Sequence, residues 1–185
     1  MLSQIKPLIT NVTKPVAKRL ARVGVRPNHL TFLGLVFGVF SAYFIIKGLV
    51  LIAAVFIMLS SICDLLDGAL ARTEDVASDF GSFIDSVTDR YVDVVLFTSL
   101  GIYGVDWIVV VLAISGALLV SYTRARAENV IDRCDVGIAE RSERLLILLA
   151  GIISGYIYEA VVLIAFLSHL TALHRVVYTY LRLKT

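Results

Sequence analysis

Charge is scarce in this sequence. Only 17% of its 185 residues are Asp, Glu, Lys or Arg, while 58% are hydrophobic and the mean hydropathy is +0.87. An ordinary soluble domain carries about a quarter charged residues, so a water-soluble globule is excluded and an integral membrane protein is expected. Cysteine is nearly absent too: Cys63 lies inside an apolar run and Cys134 in a polar loop, which argues against a disulfide framework. The three histidines, His29, His169 and His174, lack metal-ligand spacing, so an imidazole metal centre is not expected. No internal repeat, low-complexity tract or second domain is visible. No compact apolar stretch with a small-residue cleavage site precedes the first long run, so a cleaved signal peptide is not expected.

What is present is a series of apolar runs bounded by polar or turn residues, at 28–47, 49–71, 79–103, 107–130, 141–156 and 158–182. Each approaches the roughly 20 residues a helix needs to cross a bilayer. The reading is all-α: one polytopic domain over 1–185, with six transmembrane helices over 27–185 preceded by an interfacial helix over 1–26. The break around Gly155 and Glu159 separates the last two spans; one long helix there would move the carboxyl end across the membrane.

Cations fall on alternate connections. Lys6, Lys14, Lys18, Arg19, Arg22 and Arg26, then Arg72, then Arg124, Arg126, Arg133, Arg141 and Arg144, then Arg175, Arg182 and Lys184 share one side; Lys47 alone is on the other. The positive-inside rule places both termini and the acidic residues described next toward the cytoplasm of a multi-pass cell-membrane protein. Tyr103, Trp107, Tyr156 and Tyr158 fall near the opposite ends, as an aromatic belt requires. Ahead of the first span, Leu8, Val12, Val16 and Leu20 recur every fourth residue with Lys14, Lys18 and Arg22 on another face, the pattern of an amphipathic helix in the headgroup region. Pro7 and Pro15 are expected to bend or interrupt it.

Against this apolar background stand four aspartates, Asp64, Asp67, Asp85 and Asp89. An aspartate at the centre of a spanning helix costs roughly 2.5 to 3.5 kcal/mol even on lenient insertion scales, so four together need compensating charge. The basic residues nearest in sequence are Arg72 and Arg90, too few for an ion-pair network. A hard divalent cation with oxygen ligands compensates better. On helices, Asp64 and Asp67 share one face, and Gly81, Asp85 and Asp89 share a stripe of the next span. A short connection makes those spans antiparallel neighbours whose faces converge. Four carboxylates so placed suit two metals about 3.5 to 4 Å apart, the arrangement that clamps attacking and leaving oxygens in phosphoryl displacement. Gly68 and Gly81 allow close approach of a ligand or a backbone, and Arg72 is placed to fork onto a diphosphate. Arg90 and Asp93, one turn apart, are expected to pair with each other or to brace the aspartates.

The pattern D-x-x-D-G-x-x-A-R over 64–72, followed by G-x-x-x-D-x-x-x-D over 81–89, resembles the signature of the CDP-alcohol phosphotransferases, membrane enzymes of phospholipid synthesis. The D-D-x-x-D and EF-hand patterns are absent. The resemblance implies that Asp64, Asp67 and Asp85 ligate two divalent cations, Mg²⁺ or Mn²⁺, with Asp89 at the metal site as general base. It implies that Gly68, Ala71, Arg72 and Gly81 line the nucleotide pocket, joined by Asn28 and Thr31; Asn28 serves equally well as a helix N-cap.

The segments 121–128 and 136–144 are similar to the branch of that family that makes phosphatidylinositol phosphate or its archaeal ether-lipid equivalent. This implies transfer of a diacylglycerol or archaeol phosphate group from a CDP-linked lipid to 1L-myo-inositol 1-phosphate, with release of CMP. Arginine suits a phosphorylated acceptor, so Arg124, Arg144 and Arg175, with Arg141 as a weaker choice, are the candidate acceptor residues. Membrane lipids and a second copy of the chain are expected partners, with Gly101, Gly104 and Gly116 offering close helix contacts; nucleic acid is not. Glycerol 3-phosphate or serine is the alternative acceptor, and a divalent-cation transporter the alternative from another class.

Overall fold

A computed structural model of the chain describes residues 6–73 and 77–184, with side chains from residue 13 onward. These residues form helices only: α1 (Lys6–Arg22), α2 (Pro27–Ile46), α3 (Val50–Thr73), α4 (Asp79–Tyr103), α5 (Trp107–Ala127), α6 (Arg141–Ser154) and α7 (Ile157–Lys184). The helix boundaries follow the apolar runs closely, and α6 and α7 are separate, as the break at Gly155 required. Gly155 takes φ +83°, as Gly24, Gly48 and Gly104 also adopt positive φ in three other short turns; a side chain in that conformation costs about 1–2 kcal/mol.

Four helices, α2, α3, α5 and α7, are long and apolar enough to cross a membrane. The protein is therefore a membrane protein, and large apolar side chains such as Phe32, Leu51, Ile108, Ile153 and Phe166 face outward in keeping with a hydrocarbon solvent. α4 falls short because Asp79, Asp85, Asp89, Arg90 and Asp93 interrupt it, and α6 because it has only 14 residues, two of them arginines in its first turn.

α2 is the central packing helix. Gly34 lies against Ser60 and Cys63 of α3, where Ser60 Oγ donates to the Gly34 carbonyl at 2.8 Å. One turn on, Gly38 faces Val92 of α4 so closely that a Cβ there would lie 2.7 Å from Val92 Cγ1. Small residues thus bring α2 against both partners. The expectation that α3 and α4 are direct neighbours is corrected: they make almost no close backbone contact with each other and are joined through α2. The space between them is open at one end.

Part of α1 rests on protein. Among its described side chains Ala17 is buried, and Leu20 and Ala21 pack with it on Leu66, Ala69 and Leu70 of α3, while Val16 is exposed. Alanines at 17 and 21 allow that close approach. The helix continues through Pro15; the side chains of Lys6, Pro7, Leu8 and Val12 lie outside the described residues. Of the glycines expected at a dimer contact, Gly101 seats the Trp107 ring, Gly116 lets Ser168 and His169 of α7 approach α5, and Gly104 caps α4.

Candidate metal and substrate site

The i/i+3 spacing of Asp64 and Asp67 on α3 and the position of Asp85 on α4 bring three carboxylates together, with one oxygen from each within 4.8 Å of the others. Asp67 is 4% exposed and accepts a 2.7 Å hydrogen bond from Thr31 Oγ1 of α2. The central helix thus supplies the floor of the site as well as its packing. A cavity of about 10 Å³, wide enough for one water or ion, is lined by Thr31, Ser60, Asp64, Asp67, Asp85, Thr88, Asp89 and Arg141. Carboxylate oxygens around a space of that size suit a hard divalent cation, so the residues present fit the metal that the signature implies.

Asp89 stands beside this trio. Its partner is Arg141 of α6, whose Nη1 lies 2.5 Å from Asp89 Oδ1 and 3.2 Å from Asp64 Oδ2. The counter-charge comes from a residue remote in sequence, and neither Arg72 nor Arg90 provides most of it. Arg90 donates to the Ser86 carbonyl and comes to 3.7 Å from Asp89, so of the two expected arrangements it braces the aspartates and does not pair with Asp93. Asp93 instead binds Arg144 at 2.5 Å and meets Arg141 at 3.6 Å. Two arginines in the first turn of α6 run against the helix dipole, which favours anions there. That was the sequence signal that carboxylates wait on another helix.

On the other side of the trio opens a cavity of about 820 Å³. All six residues expected around a nucleotide, Asn28, Thr31, Gly68, Ala71, Arg72 and Gly81, line it, with Asp67 and Asp85 at the acidic end. Gly68 and Gly81 keep its walls free of side chains. Asn28 Oδ1 sits 3.4 Å from where a Gly81 Cβ would be, so the starts of α2 and α4 meet at its rim. Arg26, Ser78 and Ser82 also line it; Ser78 caps α4 by accepting from the Gly81 N–H at 3.0 Å. Polarity spread over a loop and two helix starts leaves no periodic trace.

The four acceptor arginines separate. Arg144 is 2% exposed and spends its guanidinium on Asp93 and the Ala139 carbonyl. Arg175, also 2% exposed, donates to the carbonyls of Val136 and Val120 and to Glu140. These two are internal braces, because a buried guanidinium must satisfy its donors within the protein. Arg124 is half-exposed and paired with Glu128, Asp135 and Glu140. Of the four, Arg141 alone reaches Asp64 and Asp89.

Residues 25–180 match the CDP-alcohol phosphatidyltransferase family. The chain belongs to that family. It is 34% identical over 191 residues to the archaetidylinositol phosphate synthase of Methanothermobacter thermautotrophicus, spanning 100% of this chain and 96% of the relative. It also resembles the crystal structure of the phosphatidylinositol phosphate synthase of Mycobacterium tuberculosis with CDP-DAG bound, at 29% identity and TM-score 0.80, covering 92% of this chain and 94% of that one. A structure of the same mycobacterial enzyme with manganese and citrate matches at 29% identity and TM-score 0.79, covering 91% and 88%. The chain is therefore a membrane-embedded transferase of phospholipid synthesis, and family membership displaces the cation-transporter reading.

Proposed function

We propose that this enzyme transfers a diacylglycerol phosphate or archaeol phosphate group from a CDP-linked lipid to 1L-myo-inositol 1-phosphate and releases CMP. The observation that carries the reading is the trio Asp64, Asp67 and Asp85, two of which, Asp67 and Asp85, form the acidic end of the 820 Å³ cavity. The archaeal and mycobacterial similarities support the lipid donor and the phosphorylated acceptor. In this reading α4 and α6 also span the membrane, giving six spans over 27–185 with α1 as part of the same domain. Both termini and the site then face the cytoplasm, and the enzyme works as a homodimer.

Asp64, Asp67, Asp85 and Asp89 would hold two cations, Mg²⁺ or Mn²⁺, which supply charge stabilisation to the diphosphate and the departing CMP. Gly68, Ala71 and Gly81 let the nucleotide lie against bare backbone, Arg72 forks onto its phosphate oxygens, and Asn28 and Thr31 close the pocket from α2. Asp89 takes the proton of the acceptor hydroxyl, whose oxygen then attacks the β-phosphorus in line with the leaving CMP oxygen. Arg124 and Arg141, whose partners are all carboxylates, receive the acceptor's phosphate. Arg144 and Arg175 position them through Asp93 and Glu140.

The test is a panel of radiolabelled acceptors, inositol phosphate, glycerol 3-phosphate and serine, each offered with CDP-diacylglycerol and CDP-archaeol. The expected result is label in lipid from inositol phosphate with stoichiometric CMP. Incorporation of serine or glycerol 3-phosphate alone overturns the acceptor.

A further inference from the structure

Three arginines that are themselves largely buried pair with acidic groups, and one is held differently from the others. Arg144 and Arg175 each bond main-chain carbonyls, partners fixed by the fold. Arg141 touches carboxylates only: Asp89 at 2.5 Å, Asp64 at 3.2 Å and Asp93 at 3.6 Å. Its Nε and Nη1 are buried yet make no hydrogen bond of good geometry. Charge alone holds this guanidinium, and a stronger charge displaces it. Asp64 is the contested group, since it belongs both to the trio with Asp67 and Asp85 and to the Arg141 pair.

Four carboxylates drawn together among apolar helices need compensating positive charge. Arg141 supplies one from within the chain. A divalent ion gripping Asp64 and Asp89 doubles the positive charge at the same oxygens and repels the guanidinium, while Asp93 keeps Arg141 within reach. We propose that Arg141 is an internal counter-ion that competes with the divalent cation for Asp64 and Asp89, and that cation binding hands its guanidinium to the acceptor's phosphate. The proposal rests on the functional reading above and adds an order to it: metal first, phosphorylated acceptor second. Because coupling of two binding equilibria is reciprocal, bound phosphate must also tighten the metal.

Mn²⁺ binding to the full-length protein in detergent, without substrates, tests this by the electron paramagnetic resonance of the free ion. Removing a unit charge a few ångströms from the ligands in R141Q is expected to tighten Mn²⁺ by about tenfold or more, while R141K, which keeps the charge, stays close to wild type. Saturating Mg²⁺ should tighten inorganic phosphate on wild type, and R141Q should lose that coupling. Wild-type Mn²⁺ affinity in folded R141Q overturns the proposal but leaves the functional reading standing; a wild-type protein that binds no Mn²⁺ overturns both. Should R141Q fail to fold, ¹⁵N-arginine spectra of wild type decide. Mg²⁺ is expected to move the Nε–Hε resonance of Arg141, identified by its loss in R141K, with those of Arg144 and Arg175 left in place, and an Arg141 resonance that stays put overturns the idea.

Discussion

Asp89 is the residue on which chemistry and geometry meet. It is one helical turn from Asp85 along α4 and is held from α6 by Arg141. Asn at 89 has almost the same shape but accepts no proton. D89N is expected to lower turnover at least a thousandfold, in the range general-base removal allows (roughly 10²–10⁴), with CMP binding and thermal stability retained; a coupled assay and a CMP titration check both halves. Asp93 acts otherwise. It is 4% exposed against Arg144 at 2%, so D93N strands a buried guanidinium. That costs about 3–5 kcal/mol, and the expected outcome is loss of folded protein on detergent size exclusion before any kinetic effect is read. The aspartate pairs were legible because i/i+3 and i/i+4 spacing is local. The pairing of Arg141 with them was not, since its partners lie 52 and 77 positions away in sequence and only the packing of α6 beside α3 and α4 brings them together.

Helix α2 shows how an element positions a site to which it contributes few charges. Its Gly34 and Gly38 set the spacing to α3 and α4, and Thr31, one turn before Gly34, reaches Asp67. An added methyl at 38 meets Val92, a stiff β-branched side chain. G38A is therefore expected to cost about 1–3 kcal/mol through overpacking and to spread α3 and α4. V92A in the same chain should restore both melting temperature and activity, and failure of that rescue would place the strain elsewhere. The apolar runs gave the helix bounds to within a few residues. What they did not give was adjacency: consecutive spans joined by a short connection are expected to touch, yet α3 and α4 are held apart by α2. That separation makes room for the cavity. The packing of Ala17, Leu20 and Ala21 on α3 was hidden for a related reason, since a four-residue apolar repeat does not say whether lipid or protein lies beneath it.

For the molecule as a whole, the site consists of carboxylates on α3 and α4 with their counter-charge on α6, enclosed by helices whose outer surfaces are apolar. Chelation with EDTA is expected to abolish transfer reversibly, with Mg²⁺ or Mn²⁺ restoring it, while helicity by circular dichroism changes little; unrestored activity would argue against a metal-dependent reaction. Topology is testable in the same preparation. Single cysteines at Lys47 and Tyr156 should label from one face of sealed vesicles and a cysteine at Asp132 from the other, in a background with Cys63 and Cys134 replaced by serine. Labelling of all three from one face would remove the six-span arrangement.

Composition, hydropathy and helical spacing were enough to establish a membrane-embedded, all-helical chain with an acidic motif, because each depends on residues close in sequence or on totals over the chain. The pairing of Arg141 with Asp64 and Asp89, the burial of Arg144 and Arg175 as braces, and the cavity between splayed helices depend on contacts across many tens of residues. Those were decided by which small residues allow two helices to approach, a matter of close packing in three dimensions that no local pattern encodes.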